Sequence, residues 1–493
     1  MDDGQPTSRD SLELAGLLAE MAALRATLLE GAAPFLARLG QPTAESPLAN
    51  LAHYLALRHH DLRPLQRRLM RFGLSSLGRL ESRVLPTLDA VLVALAGMQG
   101  APSSLLLPTE GQFFAGEQAL AVATEGLFGP AHTHRRCRIM VTLPSEAAAD
   151  ADMVLELARL GMDCARINCA HDDATAWHSM AAHVRAASLD VGRPIRILMD
   201  IAGPKIRTGD LVATPEKGKL RAGDSLWLTV EGAPLPPGDG YAIAVSLPEI
   251  VNRVAVGDRV LYDDGKLEGL VEAVREGAAL VRVGRVKEGG LKPKPEKGLN
   301  LPDTALGLSP LTAKDERDLA AVIECADMIG YSFVSRPEDI DLLEAALAQL
   351  PARATPLGLV AKIERPDAVR NLPDLIARAG RDRPFGVMIA RGDLAAEIGF
   401  ERLAEMQEEI LWICEAAAVP VIWATQVLED LVKSGVPSRG EMTDAAMAAR
   451  AECVMLNKGP AVGAAVSLLD RLLGSMDGHL LKKTPVLRPL KSW

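Results

Sequence analysis

Cysteine is scarce in this sequence and follows no metal-binding or disulfide pattern. The chain has 493 residues and six cysteines, which are dispersed and include no Cys-x-x-Cys pair. Such spacing indicates reduced, mostly buried thiols. It argues against a zinc site and against a disulfide framework.

Long apolar runs and an excess of positive charge are also missing, and we expect no secretory leader. Only 3% of the residues are aromatic, and no uninterrupted apolar stretch approaches the roughly 20 residues of a membrane span. The N-terminal sequence MDDGQPTSRDSLEL is acidic and polar, whereas a secretory signal begins basic and continues apolar. We therefore expect a soluble, cytoplasmic protein. The net charge of −10 disfavours nucleic acid as a general partner, although local basic clusters can hold small anions.

The spacing of apolar residues divides the chain into regions, and its length favours two or three domains. Up to residue 134, apolar residues recur every three or four positions, which predicts a helical region. From residue 135 onwards, eight short β-branched runs appear, most of them followed by an amphipathic helical stretch. These runs are residues 138–143, 164–169, 196–201, 328–333, 357–364, 385–391, 420–426 and 453–459. Eight such units predict a closed parallel (β/α)8 barrel, a TIM barrel, rather than an open doubly wound sheet.

The connection between the third and fourth runs is much longer than the others. Residues 210–297 within it are rich in Gly, Pro and Val, and they alternate in the manner of strands and hairpins. We predict a small inserted β-barrel domain that is hinged over the mouth of the larger barrel. The predicted organisation is a helical region (1–134), a barrel (135–209 and 298–475), the inserted domain (210–297) and a tail (476–493).

Polar residues end most of the predicted barrel strands, and the C-terminal strand ends are where such barrels place their function. The polar strand-end residues are Arg166 and Asn168, Asp200, Lys362 and Glu364, Arg391 and Asp393, and Thr425. Residues two apart in a strand share a face, so Lys362 and Glu364 point the same way. For any single one of these charged residues, a structural salt bridge is as good an explanation as a functional role. A structural explanation for the whole set is much weaker, because burying unpaired charge is costly.

Two of the strand-end residues are suited to a metal ion. Glu364 and Asp393 come from neighbouring strands, and their hard oxygen atoms can share one divalent ion, as Mg²⁺ prefers. Arg166 and Lys362 add fixed positive charge beside them. A metal flanked by cations predicts a site for a phosphate or a carboxylate ligand.

Seven segments of the chain resemble, in order, the motifs of the pyruvate kinase family. They are GMDCARINCAH, MDIAGPKIRTG, KGLNLPD, AKIERPDAV, MIARGDLAAEIG, VIWATQVLEDLV and PSRGEMTDAA, and the resemblance covers about residues 135–475. It implies a phosphotransferase of glycolysis, dependent on Mg²⁺ or Mn²⁺, that transfers a phosphoryl group from phosphoenolpyruvate to ADP. The products would be pyruvate and ATP. We also expect a homo-oligomer.

The resemblance implies a role for each matching residue on the phosphoenolpyruvate side. Lys362 would neutralise the phosphoryl group during transfer, and Arg166 would pair with the phosphate. Glu364 and Asp393 would hold the metal ion.

The resemblance also implies groups for the substrate carboxylate and the nucleotide. The backbone around Gly392 and Asp393, together with Thr425, would receive the carboxylate. Thr425 also lies where the family protonates the enolate, through water. The positions that would face the nucleotide are Asn168, His171, Arg207 and Lys297, the last of which the inserted domain would bring to the phosphates on closure.

The monovalent-cation site of the family is only partly present. Asn168 and Asp200 remain, but Ala170 and Ile201 stand where the family has Ser and Thr. The residue after Gly-Pro, usually Glu in the family, is Lys205. An internal ammonium can supply the charge that K⁺ otherwise provides, so we predict activity that does not require potassium.

Two further departures leave other functions open. Residues 457–460, Asn-Lys-Gly-Pro, replace the family's Ser-Gly-Glu-Thr. We also expect no counterpart of the family's C-terminal regulatory domain with its sugar-phosphate effector site. One alternative is an aldolase or lyase that forms an enolate on the same barrel, and another is a catalytically silent protein that binds phosphoenolpyruvate or nucleotide. The inserted domain and Lys362 favour the kinase over the lyase. The sequence alone indicates no role for the N-terminal helices.

Overall fold

The structure is a computed structural model that describes residues 8–213, 218–233, 241–263, 265–304 and 306–485. The N-terminal region is helical, as predicted. Its helices are Ser8–Arg38 (α1), Pro47–Leu57 (α2), Arg63–Arg71 (α3), Val84–Met98 (α4) and Glu110–Phe128 (α5). Across the described ranges, no helix has both the length and the apolar character needed to cross a membrane.

Capping residues fix where two of these helices begin. The side chain of Ser46 accepts a hydrogen bond from Ala49 N at the start of α2, and Pro47 occupies the first helical position, where its missing N–H costs nothing. Helix α5 begins with a capping box, in which Thr109 and Gln112 each satisfy a backbone N–H of the other. Local sequence therefore sets the start of α2 and of α5.

Beyond α5, strands and helices alternate. The strands are Arg138–Thr142 (β1), Cys164–Asn168 (β2), Arg196–Asp200 (β3), Thr208–Ala213 (β4), Ser225–Thr229 (β5), Tyr241–Val245 (β6), Arg259–Tyr262 (β7), Leu267–Arg275 (β8), Ala278–Val286 (β9), Leu299–Asn300 (β10), Met328–Tyr331 (β11), Gly358–Ile363 (β12), Phe385–Ala390 (β13), Val421–Ala424 (β14), Cys453–Leu456 (β15), Leu480–Leu481 (β16) and Thr484–Pro485 (β17). The helices are Ala151–Leu160 (α6), Ala174–Asp190 (α7), Ala313–Cys325 (α8), Pro337–Leu347 (α9), Pro366–Arg370 (α10), Leu372–Ala379 (α11), Arg391–Ile398 (α12), Phe400–Ala416 (α13), Glu429–Ser434 (α14), Arg439–Ala448 (α15) and Val462–Asp477 (α16).

Eight parallel strands close into the predicted (β/α)8 barrel. Their order around the barrel is β1-β15-β14-β13-β12-β11-β3-β2. Each strand lies inside one of the eight runs read from the sequence, because strands buried on both faces are continuously apolar. Strands β3 and β11 are hydrogen-bonded neighbours although the inserted segment separates them along the chain.

The end of α5 closes the base of this barrel. Leu127 and Phe128 are 2% and 1% exposed, and they pack with side chains such as Met140 and Val360 that point into the barrel. A Cβ atom added at Gly358, the first residue of β12, would lie only 2.7 Å from a methyl carbon of Leu127. The N-terminal helical region is therefore part of the barrel core and not a loose appendage.

The inserted segment forms a second curled sheet with a core of its own. Its strand order is β10-β7-β8-β9-β5-β6-β4, mostly antiparallel, with one parallel pair between β5 and β6. The two outer strands approach each other where Arg207 and Gly298 form an antiparallel bridge, so the sheet curls towards closure. Inward-facing residues such as Leu226, Val260 and Val281 fill its centre.

Removal of the plug side chain Leu127 is expected to destabilise the barrel. Leu127→Ala leaves a cavity at the barrel base and should lower the free energy of unfolding by about 2–5 kcal/mol. Val122 on the same helix is 66% exposed, so Val122→Ala should change it by no more than about 0.5 kcal/mol. Urea unfolding of both variants provides the measurement. Equal unfolding free energies for the two variants would contradict the role of Leu127 in filling the base of the barrel.

Candidate active site

Asp200 lies at the centre of the barrel mouth, at the end of β3, and is only 1% exposed. Arg166 Nε lies 3.0 Å from Asp200 Oδ2, and Lys362 Nζ lies 3.3 Å from Oδ1. Burial alone would raise the pKa of Asp200, but the two cations outweigh it and lower the pKa. The carboxylate is therefore ionised and holds both cations in place.

Lys362 is surrounded by oxygen atoms. Its Nζ donates to Ser332 Oγ at 2.7 Å and lies 3.0 Å from Glu364 Oε1, in addition to its contact with Asp200. Burial opposes the charge on Lys362, yet the carboxylates of Asp200 and Glu364 raise its pKa. The strand β12 thus delivers a charged ammonium to the mouth at a fixed position.

Glu364 and Asp393 form a pair of carboxylates beside Lys362. Glu364 Oε2 accepts a hydrogen bond from Phe333 N at 2.6 Å, and Asp393 lies in the first turn of α12. Lys205 Nζ lies 2.9 and 3.2 Å from the two oxygen atoms of Asp393. Burial raises the pKa of Glu364, and Asp393 adds to this against the opposing effect of Lys362. Burial would also raise the pKa of Asp393, but Lys205 outweighs it and keeps the pKa low.

The donor chemistry of Glu364 and Asp393 fits a divalent cation. Their oxygen atoms are hard ligands, and the mutual repulsion of the two carboxylates is relieved by a cation between them. Among the described residues, no group of three or more His, Cys, Asp or Glu side chains is arranged to hold a metal. Water and substrate would therefore complete the coordination shell, as Mg²⁺ commonly requires.

Thr425 adopts a strained backbone conformation at the end of β14. Its φ is +66°, which is unusual for a β-branched residue, and its Oγ1 accepts a hydrogen bond from Gly392 N at 2.7 Å. Arg391 supports this geometry because it donates to Ala424 O at 3.0 Å and to Thr425 O at 2.6 Å, and it is paired with Asp444. A ligand that accepts a hydrogen bond from Gly392 N must displace Thr425 Oγ1 from that N–H.

The four predicted nucleotide-facing residues come from two parts of the molecule. Asn168 and His171 follow β2, where Asn168 Oδ1 accepts from the backbone and is thereby oriented. Arg207 and Lys297 belong to the connections of the second sheet, and Lys297 Nζ lies 3.2 Å from Asp263. Burial lowers the pKa of His171, and the charges of Lys458 and Arg207 lower it further.

Some residues of the mouth were missed in the sequence. Ser332, which accepts a hydrogen bond from Lys362, is the last polar residue of the fourth predicted run, and the strand-end rule applied there would have identified it. Thr142 Oγ1, 3.2 Å from Arg166 Nη1, ends β1 and carries the same signal. Lys458, whose charge lowers the pKa of His171, belongs to the segment 457–460, where the sequence departs from the family.

The order of the motifs and this mouth of paired charges agree with the comparison to known families. A family model described as the barrel domain of pyruvate kinase matches residues 134–466. The chain belongs to the pyruvate kinase family.

Relatives and a solved structure agree with this membership. The chain is 35% identical over 332 residues to a pyruvate kinase of Methylorubrum extorquens, covering 67% of this chain and 65% of that protein. It is 32% identical over 359 residues to a pyruvate kinase of Mycobacterium tuberculosis, covering 71% and 72%. The crystal structure of a pyruvate kinase from Cryptosporidium parvum has a TM-score of 0.61 and 28% identity, and it covers 72% of this chain and 73% of that one.

Loss of the central carboxylate is expected to destabilise this pyruvate kinase family member. Asp200→Asn leaves Arg166 and Lys362 facing each other without their shared counter-charge, which should cost about 3–5 kcal/mol of unfolding free energy. The control is Asp303→Asn, because Asp303 pairs with Arg259 at the surface, and its loss should cost no more than about 1 kcal/mol. Urea titration compares the two. Similar losses would show that Asp200 does not organise the mouth.

Proposed function

We propose that the chain catalyses phosphoryl transfer from phosphoenolpyruvate to ADP, giving pyruvate and ATP. The observation that carries this proposal is the ammonium of Lys362, held by Ser332, Asp200 and Glu364 beside a pair of carboxylates suited to a metal. Phosphoryl transfer requires mainly that the protein position the reactants and place positive charge beside the transferring phosphoryl group. Membership of the pyruvate kinase family supports the same reaction.

In this proposal, the substrate phosphate lies among the fixed cations. Arg166 and Lys362 balance its charge while the bond between phosphorus and the enol oxygen breaks and a bond to the terminal oxygen of ADP forms. Glu364 and Asp393 would hold Mg²⁺ or Mn²⁺, which when bound supplies further positive charge to the substrate oxygens. The enolate that remains takes a proton at carbon beside Thr425, by way of water.

The inserted sheet is proposed as a lid over the nucleotide. Asn168 and His171 on the barrel would meet Arg207 and Lys297 from the sheet, and the influence of Arg207 on His171 supports this approach. Lys297 would exchange its ion pair with Asp263 for a phosphate. The corresponding division into a helical region, barrel, lid and tail is residues 1–134, 135–209 with 298–475, 210–297 and 476–493.

Residence in the cytoplasm and assembly as a homo-oligomer also remain proposals. A sedimentation measurement of the full chain tests the second, and a monomer at all concentrations would reject it.

A coupled assay for pyruvate tests the proposed reaction. The wild type should form pyruvate from phosphoenolpyruvate only with ADP and Mg²⁺ present. Lys362→Met should reduce kcat by about 10²–10³-fold, the usual cost of removing one group that stabilises transition-state charge. Lys433 on α14 forms an exposed pair with Glu429, so Lys433→Met serves as a charge-matched control with wild-type kcat.

The same assay separates the alternatives. Pyruvate formation without nucleotide would favour an aldolase or lyase. Binding of phosphoenolpyruvate without any turnover, under varied nucleotides and metals, would favour a silent binding protein and reject the kinase.

We further propose that this activity does not depend on potassium. Asp200 is already paired with Arg166 and Lys362, which leaves little unbalanced negative charge for K⁺ to neutralise. Ala170 and Ile201 lack the hydroxyl ligands of the family, and Lys205 brings an extra ammonium to the mouth.

Initial rates in sodium and potassium buffers test this independence. The wild type should show equal rates at equal ionic strength. Lys205→Met should be slower in sodium and regain activity on addition of potassium, because K⁺ can then supply the missing charge. A large, saturable activation of the wild type by potassium would reject the proposal.

A further inference from the structure

Lys205 lies on the first of two chain segments that link the barrel to the inserted sheet. It follows β3 and precedes β4, and its segment is joined to the returning segment by the bridge between Arg207 and Gly298. Its side chain is 28% exposed and that of Asp393 is 15% exposed, so the pair between them is partly shielded from solvent. The ammonium is thus held over the start of α12.

The position of this ammonium conflicts with the role of its partner. Both oxygen atoms of Asp393 lie within 3.2 Å of Lys205 Nζ, and Asp393 is one of two carboxylates that fit a divalent ion. We propose that Lys205 and the divalent ion compete for Asp393, so that metal binding releases Lys205. This inference rests on the proposed metal site at Glu364 and Asp393.

Electrostatics gives the direction of the competition. A partly exposed ion pair between one lysine and one carboxylate is weak, whereas a divalent ion carries twice the charge and gains a second carboxylate, Glu364. The metal therefore displaces Lys205. The displacement still reduces metal affinity, because the pair must break and two positive charges must share the mouth.

The released ammonium cannot travel far from the mouth. Residue 205 is fixed between β3 and β4, so the freed charge stays beside the anionic substrate. Lys205 therefore has two successive partners, first Asp393 and then the substrate anion that arrives with the metal. The same residue would weaken metal binding and strengthen binding of phosphoenolpyruvate.

Titration of Mn²⁺ into the full-length, substrate-free protein tests this competition. Binding is measured by calorimetry and by loss of the free-ion electron paramagnetic resonance signal. Lys205→Met and Lys205→Gln should each bind Mn²⁺ about 3- to 10-fold more tightly than the wild type, as expected for loss of one partly screened competing charge. Two variants are used so that poor folding of one leaves the other as the test.

Two controls assign the effect to Asp393. Lys433→Met removes an exposed positive charge that is paired with Glu429 and not with Asp393, and it should leave Mn²⁺ affinity at the wild-type value. In an Asp393→Asn background, Mn²⁺ binding should be weakened, and Lys205→Met should no longer tighten it, because the shared carboxylate is gone.

The outcomes separate this inference from the proposed function. Unchanged or weaker Mn²⁺ binding by both Lys205 variants, with normal binding and turnover by the wild type, would overturn the competition alone. Absence of Mn²⁺ binding and of turnover in the wild type would overturn both the metal site and the proposed reaction. Tighter binding in both variants that also persists with Asp393→Asn would place the effect elsewhere and reject the competition.

Discussion

A buried, ionised carboxylate at the end of β3 is the interaction on which the barrel mouth depends. Asp200 fixes Arg166 and Lys362, and Lys362 in turn contacts Glu364. Charges buried this deeply are tolerable only when they are paired and hydrogen-bonded. Because their positions are set by folding, the cations need no rearrangement when an anionic ligand arrives, which is the condition for effective electrostatic stabilisation.

The balance of charge at the mouth bears on the proposed binding of a metal and a polyanion there. The carboxylates of Asp200, Glu364 and Asp393 face the cations of Arg166, Lys362 and Lys205, so the described cluster is close to neutral. Under the proposed function, a divalent ion would make the cluster positive. The phosphate and carboxylate of the proposed substrate would offset that charge, so metal and substrate would favour each other's binding.

The sequence predicts the barrel and the strand-end residues because both follow from local rules. Buried parallel strands are continuously apolar, and the spacing of two places Lys362 and Glu364 on one face. The partner of Lys205 follows no such rule, because it depends on the path of the chain between two domains. The close approach of Leu127 to Gly358 was not predicted either, because it joins an N-terminal helix to a strand that is distant in the sequence.

The inserted sheet and Glu364, a proposed metal ligand, share one support. Gly203, with φ +65°, begins the passage to the sheet, and a Cβ there would lie 2.7 Å from the ring of Phe333. The backbone N–H of Phe333 in turn holds Glu364. A side chain at position 203 would therefore disturb the linker and the proposed metal site together.

The plug formed by Leu127 and Phe128 has a consequence for the order of folding during translation. Synthesis proceeds from the N-terminus, and early segments generally fold first. Helices form quickly because their contacts are local, so the two plug side chains are presented before the ribosome has made β1. The barrel strands then emerge one after another, and their inward-facing side chains can pack against the plug. The last strand closes the barrel around a plug that is already in place.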